Sequence, residues 1–381
     1  MHGKRVAAAV LLTTLLAGTL AVPAASAASA ESDGGRRKTD RVQRQLDLLV
    51  GRDDVPGALA YDGRTTWPAG VSDLDTRSPM LGADGRFRLA SDTKSFTAAA
   101  VMHLVSDGRL GLDDRAGQYV PQLAKSRVTI RQLLKQTTGL PEYTALVDWT
   151  AEPGTSEDYL ALALAAPPAF EPGTDWGYSN TNYLVLGIVI DKVTGIGFRA
   201  YVEETVLHPL GLDSTYWPER GETALRGPHA RNYGVSPVSP QAGPVDVTEL
   251  PGYEFGAAGG LVSTPKDLNA FWDALFGGRL LPGWAVRLMT TDTTDVGGRD
   301  TYPTGSRYGY GVASFPLSCG GEYWGHGGDL PGDSVAGGRA SGGRGTVTVY
   351  TTTWAGEGRS LRRLQGAADA ALCMPDGRSR S

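Results

Sequence analysis

Ser91-Asp92-Thr93-Lys94 places a hydroxyl three residues ahead of an amine, and on a helix residues three apart share a face. A serine hydroxyl alone is a poor nucleophile. It needs a base within hydrogen-bond reach, and a lysine desolvated beside another polar group can serve. If the serine opens its helix, the free N–H groups and the positive dipole end there favour the developing alkoxide. The pattern is weak by itself, because Ser263-Thr-Pro-Lys266 matches it as well. There Thr264 followed by Pro265 reads as a helix cap with proline at the first helical position, a structural use. Ser91 could likewise be a capping serine followed by an exposed lysine.

Tyr178-Ser179-Asn180 downstream, and His326-Gly327-Gly328 on a strand-like stretch near the C-terminus, argue against that bland use. Taken singly, Tyr178 could be a half-buried aromatic, Asn180 a helix N-cap and His326 a surface residue beside turn glycines. Together and in this order, Ser-x-x-Lys, Tyr-x-Asn and His-x-Gly are the three elements of the serine β-lactamase and D-alanyl-D-alanine carboxypeptidase superfamily. The chain resembles that superfamily over nearly its whole mature length. Its likeness is greatest to the branch of secreted actinomycete D-alanyl-D-alanine carboxypeptidases, which are class C β-lactamase-like, and it runs through residues 87–96, 128–134, 177–183 and 317–326.

The resemblance implies that Ser91 is acylated, that Lys94 takes its proton, and that Tyr178 acts as general base or relays a proton to the leaving group. Asn180 would orient Lys94 and the substrate amide, and His326 would help set the electrostatics of the site. Backbone N–H groups of Ser91 and Asp329 would form the oxyanion hole, with Gly327, Gly328 and Asp329 lining the substrate. It also implies a Cys319–Cys373 disulfide and chemistry that needs no metal or cofactor. The substrate would be a small peptide, ester or β-lactam, with peptidoglycan as a partner, handled by a monomer.

Three positions depart from the family. It carries threonines at the positions matching Gly327 and Asp329 and an arginine matching Ala313, and these hold the free carboxylate of its ligands. Asp329 instead brings a negative charge toward such a ligand, a repulsion of ~1 kcal/mol or more in a partly desolvated cleft. Arg339 and Arg344 are the cations a neighbouring strand could supply in compensation. An ester, an amide without a free carboxylate or a cationic substrate suits Asp329 better. The family histidine ahead of a Thr-Ser/Thr-Gly-Leu stretch is Gln136 here, before Thr137-Thr138-Gly139-Leu140. Carboxypeptidase is the nearest activity. Esterase, D-amino-acid peptidase and class C β-lactamase are alternatives on the same fold, and a non-hydrolytic penicillin-binding or envelope-sensing module is the alternative from another class.

The elements that must carry these residues follow from periodicity. Residues 42–50 have apolar positions at helical spacing and stop at Gly51, and strand-like runs broken by Asp62-Gly63, Pro68-Ala-Gly70 and Asp84-Gly85 fill 57–89. Helices are expected at 96–105, 130–134, 159–165, 183–193 and 268–276. Strands are expected at 308–315, 322–324 and 346–354, and a closing amphipathic helix at 360–372. Such an order predicts an α/β fold, β-lactamase/transpeptidase-like, with an antiparallel sheet built from both termini (about 41–90 and 300–376) flanked by helices. A mostly helical subdomain occupies about 91–299.

Bulk properties narrow the setting. Lys4 and Arg5 precede an apolar run ending in Ala25-Ser26-Ala27, the pattern of a cleaved signal peptide over 1–27, with a flexible linker at 28–40. The protein is expected to be secreted, with no stable membrane insertion. A net charge of −5 and no concentrated basic run argue against nucleic acid. Two cysteines in an exported chain are expected to pair, two free buried thiols being the alternative. The scattered histidines His103, His208, His229 and His326 show no metal-ligand spacing.

Overall fold

The computed structural model describes residues 25–148, 151–235, 243–252, 255–356 and 358–373, with side chains from residue 38. Helix α1 (Ala25–Arg52) begins well before the expected start at Val42, so the stretch 28–40 is helical rather than a flexible linker. Residues 1–24 of the expected leader lie outside the described residues.

A hairpin of β1 (Gly57–Tyr61) and β2 (Thr66–Gly70) forms one end of the main sheet. Two short ladders follow in the middle of the chain, β3 (Phe87–Arg88) with β6 (Val262–Ser263) and β4 (Tyr233–Val235) with β5 (Pro244–Asp246). The other six main-sheet strands are β7 (Thr294–Asp295), β8 (Arg307–Tyr308), β9 (Ala313–Pro316), β10 (Glu322–Leu330), β11 (Asp333–Ala340) and β12 (Thr346–Thr351). The order is β2-β1-β12-β11-β10-β9-β8-β7, antiparallel at every pairing. The sheet is thus assembled from both ends of the chain, as the periodicity predicts.

Side-chain alternation gives the sheet two buried faces. Ala58 and Ala60 of β1 and Val347 and Val349 of β12 pack with Val42, Leu46 and Leu49 of α1 and with Leu364 and Ala368 of the closing helix (Arg359–Cys373). Leu59 and Tyr350 point the other way, into a second core with Phe96 and Phe271. The expected strand 308–315 is instead two strands, because Gly309 and Gly311 make a turn between them. Gly309 N–H bonds to Val312 O at 2.8 Å, and Gly311 has φ of +66°. A Cβ on Gly311 would also lie 2.5 Å from Ala98 Cβ and 3.0 Å from Lys94 O, so only glycine lets this turn rest on the helix below.

That helix, α2 (Thr93–Ser106), is buried nearly all round, from Thr93 through Met102 and at Leu104. The helical region also holds α3 (Ile130–Leu134), α4 (Ser156–Leu164) and α5 (Asn180–Thr194). Cys319 and Cys373 are disulfide-bonded, tying the β9–β10 connection to the end of the closing helix.

Candidate active site

Ser91 sits in a single 3₁₀ turn (Ala90–Asp92) that leads into α2. Ala90, just before it, has φ of +46°, a left-handed conformation costly for a residue with a side chain. Strand β10 passes directly over this turn. A Cβ on Gly328 would fall 2.5 Å from Leu89 O and 2.9 Å from Ser91 N, so glycine is required for the approach. The approach lays the backbone of Gly328 alongside the nucleophile's own N–H.

One turn into α2, Lys94 is fully buried. Its Nζ lies 2.9 Å from Ser91 Oγ, 2.7 Å from Asn180 Oδ1 and 2.8 Å from the Ala258 carbonyl. Burial lowers its pKa to about 7, against the opposing pull of Glu142 and Asp92. A neutral amine has two protons and one lone pair. Ala258 O can only accept, and so can Asn180 Oδ1, because the Asn180 amide nitrogen is turned toward Glu142 Oε2 at 3.2 Å. Both protons of neutral Lys94 are therefore committed, and its lone pair is left for the Ser91 hydroxyl.

Asn180 begins α5 but does not cap it with its side chain. Glu142 Oε2 accepts from the Asn180 backbone N–H at 2.6 Å, and Glu142 Oε1 accepts from Thr144 N–H at 2.9 Å. Glu142 was not singled out by the sequence, and nothing in the run Gly139-Leu-Pro-Glu142 marks it. Its part is visible only when the loop meets the start of α5.

The Tyr178 ring stands 4.8 Å from Lys94 Nζ, and its phenol is hydrogen-bonded to Ser91. Burial raises its pKa well above the ordinary value, with Tyr308 adding to the effect, so the phenol keeps its proton at neutral pH. His326 sits one layer back. Nδ1 lies 2.5 Å from the Gly327 carbonyl, which can only accept, so Nδ1 carries the proton and Nε2 accepts from Tyr308 Oη at 3.1 Å. Burial, reinforced by Lys94, lowers its pKa to about 3 and keeps the ring neutral. Asp92, beside the nucleophile, is wholly enclosed, neither carboxyl oxygen has a hydrogen-bond partner among the described residues, and burial raises its pKa well above the carboxylate range.

The cleft has two lobes that share Ser91, Asn180 and Asp329. One, of about 440 Å³, is lined mainly by apolar groups including Leu250, Phe255, Ala258, Leu330 and Pro331. The other, of about 200 Å³, contains Tyr178, His326, Gly327, Gly328, Tyr302 and Asp300, and no lysine or arginine lines it among the described residues. The Asp329 side chain is exposed at the cleft, with protein packed densely around its base. This desolvation raises its pKa to about 6, opposed by a hydrogen bond from Ser334 Oγ and assisted by Asp300. Neither proposed replacement cation reaches the lobe: Arg339 pairs with Asp273 at 3.2 Å, and Arg344 donates to Cys319 Sγ and the Gly320 carbonyl.

The other Ser-x-x-Lys is structural. Thr264 caps the helix Pro265–Phe276 by accepting from Asp267 N–H, and Lys266 is exposed, 3.6 Å from Asp84.

Comparison with known proteins agrees with this geometry. The model of the Beta-lactamase family matches residues 42–372. A D-stereospecific amidohydrolase from Streptomyces sp. is 34% identical, with a TM-score of 0.74 over 85% of this chain and 97% of that one. The D-amino acid amidase of Ochrobactrum anthropi SV3 is 26% identical, with a TM-score of 0.77 over 88% and 97% of the two chains. Penicillin-binding protein 4* of Bacillus subtilis is 30% identical over 151 residues, 38% of this chain and 33% of that protein. Protein flp of Staphylococcus aureus is 29% identical over 194 residues, 47% of this chain and 39% of that protein. The chain thus spans well under half the length of these two curated relatives. With the family model covering nearly the whole described fold, the chain belongs to the Beta-lactamase family, a serine hydrolase family that includes amidases and penicillin-binding proteins.

Proposed function

We propose that this protein is an acyl-enzyme amidase acting on amides of apolar D-amino acids, and that it is exported. The observation that carries the proposal is the division of the cleft. Tyr178, which hands a proton to the departing nitrogen, lines only the small lobe, so the leaving group exits there and the acyl group occupies the larger apolar lobe. A carboxypeptidase would release an amino acid whose carboxylate enters the small lobe beside Asp329, where no lysine or arginine lines the wall among the described residues. An amidase releases ammonia, which is small and carries no negative charge. Asp329, at the junction of the lobes, is suited to an ammonium on the carbon next to the scissile carbonyl. Two structural relatives, one named a D-stereospecific amidohydrolase and the other a D-amino acid amidase, support the stereochemical part.

In the proposed reaction Ser91 Oγ bonds to the amide carbon while its proton passes to the neutral amine of Lys94. The tetrahedral oxygen is held by the N–H groups of Ser91 and Asp329, each such donor contributing about 3 kcal/mol in sites of this kind. The carbon–nitrogen bond then breaks as the Tyr178 phenol gives its proton to nitrogen and is reprotonated from Lys94. Water resolves the ester by the reverse proton path. The raised pKa of Tyr178 favours this relay over a phenolate base, and the lowered pKa of Lys94 gives the base role to the amine.

The test is a substrate panel run on wild type and Ser91→Ala: D- and L-phenylalanine amide, a D-Ala-D-Ala peptide and a penicillin. Ser91-dependent release of ammonia, fastest from the D-amide, is the expected result. Faster release of D-alanine from the peptide would replace the amidase reading with carboxypeptidase. Sequencing the N-terminus of protein from culture medium tests export.

A further inference from the structure

Tyr178 has no secondary structure of its own to hold it, since it precedes α5 in an irregular segment. One residue grips the chain on both sides of it. The Gln136 carbonyl accepts from Gly177 N–H at 3.0 Å, and Gln136 Oε1 accepts from Ser179 N–H at 3.1 Å and from the Asn182 side-chain amide. Gln136 is fully buried and has φ of +62° just past the end of α3, so its carbonyl and side chain both reach the same neighbouring segment. Such a conformation in a residue with a side chain is costly and persists only where surrounding contacts impose it. The Asn182 amide is itself oriented by Thr138, whose hydroxyl donates to Asn182 Oδ1 at 2.5 Å, which fixes Gln136 with its oxygen toward Ser179. On its other side the buried Gln136 Nε2 has no hydrogen-bond partner among the described residues.

We infer that Gln136 is a positioning residue for Tyr178: it sets the height and direction of the phenol over Ser91 and Lys94, and so controls protonation of the leaving group. The inference rests on the acyl-enzyme reading above. A misplacement of about 1 Å at a reacting group costs on the order of 100-fold in rate. The loss must depend on the leaving group, because a nitrophenolate departs without a proton whereas an amide nitrogen does not.

The experiment compares Gln136→Met, which keeps size and removes the acceptor, with Gln136→Glu, which keeps it. Tyr178→Phe is the reference, and all are assayed on D-phenylalanine amide and on the p-nitrophenyl ester of D-phenylalanine. Gln136→Met is expected to lower the single-turnover acylation rate for the amide roughly 10- to 100-fold and for the ester a few-fold, reproducing the selectivity of Tyr178→Phe in that step. Gln136→Glu is expected to restore the amide-to-ester ratio. Equal losses on both substrates, or acylation by the amide at the wild-type rate in folded Gln136→Met, overturns the inference while leaving the acyl-enzyme reading standing. A wild-type chain with no Ser91-dependent turnover of either substrate overturns both.

Discussion

Replacing Lys94 with methionine is expected to abolish activity and yet make the folded protein more stable at and below neutral pH. A fall in pKa from 10.5 to about 7, at about 1.4 kcal/mol for each factor of ten, is an upper bound of about 5 kcal/mol of selection against the buried ammonium. Methionine fills nearly the same volume without that penalty. Against this gain, Asn180 Oδ1 and Ala258 O lose their donor, at about 1 kcal/mol or more for each stranded acceptor. The net expectation is about 1 to 3 kcal/mol in favour of Lys94→Met at pH 6. Its sign depends on pH. The unfolded chain holds the lysine proton up to about 10.5 and the folded chain only up to about 7. Between these values the unfolded state binds more protons, so wild-type stability climbs as pH rises. The penalty is complete below pH 7 and gone above 10.5, where stranded acceptors leave the variant the weaker protein. Urea unfolding of both proteins at pH 6, 7.5 and 9 reads the difference directly. A variant less stable than wild type by the same amount at every pH would refute a neutral, desolvated Lys94.

Other perturbations probe the remaining parts. Tyr178→Phe should slow acylation by the amide about 100-fold or more and acylation by the ester much less, measured as the ratio of the two single-turnover acylation rates. The acylation rate of wild type should rise with pH through about 7 as Lys94 loses its proton, seen in single-turnover kinetics. Affinity for an ammonium-bearing amide should weaken as pH falls through about 6, where Asp329 becomes neutral; in Asp329→Asn the KM should be higher and lose that dependence. Cys319→Ser with Cys373→Ser opens a crosslink between residues 54 apart, with an expected cost of about 4 kcal/mol in the chain-entropy picture, checked by denaturant unfolding.

What the sequence disclosed about this site followed from local rules. Ser91 and Lys94 are a helical pair, and the false match at Ser263 was separable because Thr264-Pro265 is a capping signature, which the hydrogen bond to Asp267 N–H bears out. Alternating runs located β1, β2, β12, the β8–β9 region and the start of β10, and their grouping at the two ends of the chain indicated how the sheet is assembled, but the glycine-containing central strand β11 and the two-residue β7 were not read as strands. The parts that stayed hidden depend on segments meeting in space. Glu142 lies in a loop far from Asn180 in sequence and acts only where the two come together. Gln136 drew notice as a departure from the family, but its grip on Gly177 and Ser179 needs a left-handed backbone that no local signal encodes. The break between β8 and β9 was missed because Gly309 and Gly311 stand in an otherwise strand-like run. The stretch 28–40, expected as a linker, belongs instead to helix α1.

The measurement that bears most directly on the central claim is intact-protein mass spectrometry after brief exposure to a fluorophosphonate, comparing wild type with Ser91→Ala and Lys94→Met. One adduct on wild type, mapped by peptide digestion to Ser91 and absent from both variants, is the predicted result. Labelling that survives Ser91→Ala, or that proceeds at the wild-type rate without the Lys94 amine, would contradict the account of a serine activated by a buried neutral lysine.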